Sequence, residues 1–390
     1  MQINIHCLKT GDVMILKNGK VLLDDFSFAE VDVRIENGKI AEIGKNLSGD
    51  EVKDISGLML LPGLIDEHFH GANGYGTLGA TPEDFVKIAE FEATNGVTTI
   101  TPALSSYPDD IVYSCIEAIK EAMSRDIKGS RLLGLHLEGP FLSEQYRGAH
   151  VTANLKNPTV ERLSGFLAAA EGCAKVLTVA PELEGAIDTI KYAKSQGLVV
   201  EIGHSAATYE EATAAIDAGA TISTHTFNAM IPLNHRNPGI LGAVLTDDRV
   251  RCEVMADLGH VAAPIVKLIY KAKGVDGVNI VSDSTRFAGY PDGEYLEADK
   301  KYIIKKGIAY LESGTITGSA YTVFDGVRNC VKELGIPLED AIKMASYNPA
   351  ASLGIAYETG SIAEGKRADF FLMTEKFEIK ETYCEGRRVY

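Results

Sequence analysis

Tryptophan is absent from this chain of 390 residues, and cysteine is scarce: Cys7, Cys115, Cys173, Cys252, Cys330 and Cys384 lie far apart. No Cys-x-x-Cys pair occurs, which excludes a cysteine zinc site and a disulfide scaffold. No basic segment followed by an apolar stretch opens the chain, so no signal peptide is expected. No uncharged apolar run approaches the roughly 18–20 residues of a membrane span, and a cytoplasmic protein is expected. Long basic runs are missing too. Lys and Arg number 38 against 54 Asp and Glu, a net charge of −16, which excludes nucleic acid and anionic membrane surfaces as partners. Any anionic ligand must be held by a few local donors against that field. No Gly-x-Gly-x-x-Gly follows the first strand of the middle region, which argues against a doubly wound dinucleotide-binding sheet.

What is present reads as an ordinary globular chain, 45% hydrophobic and 24% charged, so disorder and coiled coil are excluded. Both ends are rich in short strands. Val13–Leu16, Val31–Ile35 and Ile40–Ile43 are separated by Asn18-Gly19 and Asn37-Gly38, each expected to form a hairpin turn because Asn-Gly tolerates positive φ at both central positions. Asp369–Met373 and Ile379–Tyr383, followed by the turn Cys384–Arg387, form the other end. Residues 1–57 and 356–390 are expected to build one small β-sandwich domain.

Between them, residues 58–355 alternate. Apolar strand-like runs occur at Met59–Ile65, Val97–Thr101, Leu132–Leu137, Val176–Val179, Leu198–Ile202, Thr221–Thr224, Val250–Met255 and Val278–Val281. Amphipathic helical patterns lie between most of them, for example Asp109–Asp126 and the stretch after Thr208, with Ala212, Ala215 and Ile216 on one face. Eight repeats of strand then helix predict an α/β fold of the (β/α)8 barrel type, whose strands can be apolar on both faces.

The unusual polar residues fall just after these apolar runs: His68 and His70, Glu138, His204, His225 and Asp283. In a barrel those strand ends converge on one face, where barrel enzymes build their sites. Imidazoles with a carboxylate and no thiolate form a divalent-metal ligand set. His68 and His70 have period two and point the same way. Glu138, ending an apolar strand, must be paired or metal-bound, because burying it uncompensated costs several kcal/mol. Asp283 is the candidate acid and base beside a metal-activated water. His136 is expected to face the opposite way from Glu138's neighbours in the strand and to be structural, and His6 has no assigned role. The fourth strand, taken as Val176–Ala180, holds no lysine, so a bridging carboxylated lysine is not expected and Glu138 takes the bridging position.

The segment Pro62–Gly71, with Asp66-Glu67-His68-Phe69-His70 at its centre, resembles the opening motif of the amidohydrolase superfamily. His136–Phe141, Gly203–Thr208, Thr224–Met230, Asn234–Gly239, Ser282–Thr285 and Gly314–Ser319 are similar, in order, to the N-acetylglucosamine-6-phosphate deacetylase family. The resemblance implies hydrolysis of an N-acetyl amide on a phosphorylated amino sugar, releasing acetate. It implies that Glu138, His204 and His225 hold a principal divalent ion and that His68 and His70 hold a second where one is present. The metal implied is zinc, with iron, cobalt, manganese or nickel as alternatives. It further implies that Asp283 is the catalytic base and acid and that His150 polarises the substrate carbonyl. Ala149, His260, Thr317 and Gly318 then lie against the sugar. Asn228, Ala229 and Arg236 hold the phosphate, the arginine reaching across a homodimer.

Three segments depart from the family pattern. Gly71–Gly76 lacks the usual aspartate of Gly-Gly-x-Asp, the glycine of Asp257-Leu258-Gly259-His260 is displaced by one step, and Tyr295-Leu296-Glu297 replaces a Leu-Gly-Gly. The metal and proton-transfer residues are intact. Two alternatives stay open: another amidohydrolase, acting on a cyclic amide or N-acyl amino acid, and a non-catalytic metal-stabilised binding protein.

Overall fold

A computed structural model describes residues 13–297, 300–314 and 316–390; His6, Cys7 and Thr315 lie outside them. Eight parallel strands run in chain order around a barrel: Leu64–Asp66; Val97–Ile100, resumed at Ala103–Leu104; Arg131–Leu132, resumed at Leu135–Glu138; Ala174–Val179; Val199–Ile202; Ile222–Ser223; Arg251–Met255; and Val278–Val281. The ring closes through the backbone just above the last and first strands. The Asp283 N–H donates to the His68 carbonyl at 2.9 Å, and the His70 N–H to the Ser284 carbonyl at 2.6 Å. Helices follow the strands and cover the outside, beginning with Pro82–Thr94 and Asp109–Met123. Their starts are chemically marked. Thr208 accepts from the Glu211 N–H while the Glu211 carboxylate accepts from the Thr208 N–H, and the same reciprocal cap recurs at Thr81/Asp84 and Thr322/Asp325. In Tyr209–Ala218 the buried face is Ala212, Ala215, Ile216 and Ala218. No helix of the described residues is long and apolar enough to cross a membrane.

A separate sheet unit stands beside the barrel. One of its sheets has four strands, with Val13–Lys17 flanked by Asp32–Glu36 and Val52–Asp54. The other has six and includes Phe370–Met373, Met59–Pro62 and Lys20–Leu22. Leu16, Ile35, Leu60, Phe370 and Leu372 belong to the core cluster of this unit.

Four local expectations need correction. Met59–Ile65 is two strands, because the chain changes sheets at Gly63: the Gly63 N–H donates to Asp369 of the terminal sheet, and the Leu64 N–H to Gly96 of the barrel. Asn37-Gly38 does make a hairpin, both residues at positive φ. Asn18-Gly19 does not, since Val13–Lys17 and Lys20–Leu22 pair in different sheets. The fourth strand starts earlier than expected and contains Lys175, but this lysine sits at the far end from Glu138 and donates to the Gly172 carbonyl. Thr178, not a lysine, lies opposite Glu138. An antiparallel sheet of four strands, from Gly293–Glu297 to Ile316–Ser319, is inserted between the eighth strand and its helix Val323–Lys332, where no sheet was expected.

The sheet change at Gly63 leaves no room for a side chain: a Cβ there would lie 2.1 Å from Thr98 Oγ1. Gly63→Ala is expected to destabilise the protein by about 1–3 kcal/mol, read as a lower denaturant midpoint at unchanged slope. Adding Thr98→Ala should recover only part of that loss, because the Thr98 Cβ, 2.7 Å from the added Cβ, remains.

Candidate metal centre and substrate cleft

The strand ends carry their polar side chains on strained backbone. His204, His225 and Asp283 have φ of 46°, 26° and 42°, a region that non-glycine residues enter at a cost of order 1–3 kcal/mol each. The surrounding hydrogen bonds hold them there. The backbone N–H of His225 donates to Glu253 Oε2 at 2.9 Å, and the carbonyl of His204 accepts from the Ser143 N–H at 3.0 Å.

Four imidazoles converge on one buried carboxyl group. Nε2 of His204, His225 and His68 lie 3.1, 3.3 and 3.4 Å from Glu138 Oε1, and His70 Nε2 lies 2.9 Å from Oε2. Asp283 Oδ1 stands 3.5 Å from His70 Nε2 and 3.9 Å from His68 Nε2. All these residues come from different strand ends except the His68/His70 pair.

Hydrogen-bond partners decide what each ring offers. His204 Nδ1 lies 2.9 Å from the Tyr146 carbonyl, which only accepts, so Nδ1 carries the proton and Nε2 turns a lone pair to the cluster. Burial pushes the His204 imidazole down to about 4, consistent with a neutral ring. His150 is the reverse. Its Nδ1 accepts from the Ser106 N–H at 3.0 Å, so its Nε2–H is a donor, 3.5 Å from Glu138 Oε2. His204 Nε2 and His225 Nε2 are 2.9 Å apart, a spacing that needs a proton or a cation between them. Buried His68 Nε2 and Glu138 Oε2 make no hydrogen bond of acceptable geometry. Apposed lone pairs, orphaned buried atoms and an all-imidazole and carboxylate donor set fit a divalent cation.

The cluster floors a cleft of about 840 Å³. Ala149, His150, Asn228, Ala229, His260, Thr317 and Gly318 line it, together with His70, Glu138, His204, His225 and Asp283. His68 is buried beneath. Arg236 is the exception, exposed on the loop after Met230 with its N–H on Asn234 Oδ1. His136 is fully buried. It lies two residues from Glu138 on the same strand and turns into the barrel, its Nε2 2.7 Å from Thr178 Oγ1 and its ring 4.5 Å from that of His68. Burial holds its imidazole well below the ordinary value.

Known proteins resemble this chain over nearly its whole length. The amidohydrolase family profile matches residues 59–389. The chain is 33% identical to the N-acetylglucosamine-6-phosphate deacetylase of Vibrio furnissii, over 99% of this chain and 95% of that protein. It is 31% identical to the N-acetylgalactosamine-6-phosphate deacetylase of Escherichia coli O157:H7, over 96% and 98%. The chain belongs to the N-acetylglucosamine-6-phosphate deacetylase family of amidohydrolases. Its fold is similar to that of a Mycobacterium smegmatis N-acetyl-D-glucosamine-6-phosphate deacetylase variant solved in complex with N-acetyl-D-glucosamine-6-phosphate. The TM-score is 0.90 at 28% identity, covering 97% of this chain and all of that one (100%).

The departures from the family pattern have local causes. In Asp257–His260 the positive φ of 63° falls on Leu258, while Gly259 is needed for space: a Cβ there would meet Ile308 Cδ1 at 1.7 Å. Asp257 still anchors His260, its Oδ2 2.5 Å from the ring Nδ1. Gly71–Gly76 folds as a short hairpin whose Gly74 N–H donates to the Arg286 carbonyl. Arg286, Ser106 and Tyr302 also line the cleft and were not among the expected site residues. Arg286, three residues after Asp283 in an acidic chain, was the readable one.

Burial disfavours a charged His68, yet Glu253, Glu138 and Asp283 outweigh it and hold the imidazole well above its ordinary value. His225 is likewise raised: burial opposes its charge, and Glu138 and Asp283 favour it. In the ion-free protein these protons must leave before a cation binds. Affinity for a divalent ion is therefore expected to fall as pH drops from 8 to 6, by about tenfold per unit for each proton displaced, in chelator competition. A flat profile would contradict the assignment.

Proposed function

We propose that the protein deacetylates an N-acetylhexosamine 6-phosphate by metal-dependent hydrolysis, N-acetylglucosamine 6-phosphate first and its galactosamine epimer second. The observation that carries this reading is the pairing, in one cleft, of a convergent ligand set with a differently oriented donor, His150, and a second carboxylate, Asp283, beside His70. Glu138, His204 and His225 would hold the principal ion, and His68 and His70 a second, with Glu138 between them. Zinc suits this set first; iron, cobalt, manganese and nickel also accept imidazole and carboxylate donors. Such an ion supplies Lewis acidity, lowering the pKa of water and offsetting charge on an oxyanion.

The chain's own residues do the rest. The His150 Nε2–H donates to the acetyl carbonyl oxygen and orients the amide carbon for attack. Asp283 accepts a proton from the attacking water and delivers it to the leaving nitrogen, since an amine leaves only when protonated. The C–N bond breaks, giving acetate and the amino sugar phosphate. Ala149, His260, Thr317 and Gly318 lie against the sugar. For the phosphate, Asn228 and Ala229 are in the cleft, while Arg236 is exposed on its own subunit and, as the family resemblance implies, would reach the phosphate of a partner subunit's site across a homodimer.

Asp283→Asn is expected to lower kcat by about 10²–10⁴-fold in an acetate-release assay. Chelation should abolish turnover, and activity indifferent to both would sink the proposal. Arg236→Ala is expected to cost about 2 kcal/mol in kcat/KM on phosphorylated substrate, roughly 30-fold, and little on the unphosphorylated sugar. An unchanged value would favour an amidohydrolase of other specificity.

A further inference from the structure

Beneath the cleft, Glu253 on the seventh strand makes two contacts, one with His68 and one with His225. It is fully buried, at 0% exposure. Its Oε2 lies 3.0 Å from His68 Nδ1 and accepts the backbone N–H of His225 at 2.9 Å. Its own carbonyl accepts the Thr226 N–H at 2.9 Å. One residue thus ties the ends of the first and sixth strands together through the seventh.

We infer that Glu253 is a positioning residue for the metal centre, fixing the ring orientation of His68 and the strained backbone of His225. This rests on the reading of His68 and His225 as ligands. A carboxyl oxygen facing Nδ1 selects the tautomer with its proton there, which leaves the Nε2 lone pair turned to Glu138. The opposite tautomer would aim an N–H at the ion. The second contact acts on the backbone. His225 sits at φ 26°, and its buried N–H has Glu253 as its acceptor, so removing the oxygen leaves a buried donor unpaired just where the chain is strained.

Both bonds fall on Oε2, while Oε1 has no hydrogen-bond partner. That asymmetry separates positioning from charge. A glutamine can place its amide oxygen where Oε2 is and keep both bonds; a methionine of similar length keeps neither. Chelator competition with zinc on the full chain should therefore show E253M weakened about 10–100-fold at the ion engaging His68, and E253Q within a few-fold of wild type. Imidazole ¹⁵N spectra of the zinc-loaded wild type should place the His68 proton on Nδ1, and E253Q should retain that signature. Wild-type zinc affinity in E253M would overturn the inference. So would E253Q as impaired as E253M, which would assign the effect to charge. Should E253M fail to fold, the wild-type spectrum still decides, because a His68 proton on Nε2 refutes the role. None of these measurements uses substrate, so failure of the deacetylase reading is distinguishable from failure of this one.

Discussion

The structure turns on the burial of Glu138. A carboxylate taken out of water at the end of an apolar strand is stable only when positive charge surrounds it. Burial works to raise the Glu138 carboxyl, yet His68, His150 and His70 together hold it well below the usual range. Rings brought this close to one another repel when all are protonated and leave lone pairs unmet when none is. A shared cation resolves both problems, and the positions of the other ligating groups follow from that requirement.

The barrel makes such crowding possible. Its parallel register brings residues that are 66 and 87 positions apart in the chain, His204 and His225 relative to Glu138, within hydrogen-bonding distance. The end of the first strand contributes two side chains and the ends of the third, fifth, sixth and eighth one each, and the adjoining loops contribute orienting groups: Tyr146 for His204, Ser106 for His150, Asp257 for His260. Strain at the strand ends is tolerated because the strands below are closely paired. The sheet inserted between the eighth strand and its helix lines the cleft with Tyr302, Ile316, Thr317 and Gly318, so part of the cleft wall is an addition to the barrel.

Much of this was legible in the chain. His68, Glu138, His204, His225 and Asp283 each follow an apolar run, and position relative to a strand end is a local property that a sequence displays. What local pattern cannot display is the partner of a strand. The apolar run Met59–Ile65 reads as one element, although Gly63 divides it between two sheets. Asn18-Gly19 has the residues of a tight turn but spans two sheets, whereas Asn37-Gly38 joins neighbours. Glu253, in the middle of an apolar strand, gave no outward sign that its oxygen reaches two other strand ends.

The account stands on a cation among Glu138, His204 and His225. The direct measurement is an anomalous difference map, collected at the absorption edge of whatever divalent metal the purified protein carries. A peak in contact with Glu138, His204 and His225, and with no sulfur ligand, is the predicted result. A map with no peak among these three residues, from protein that is fully active, would contradict it.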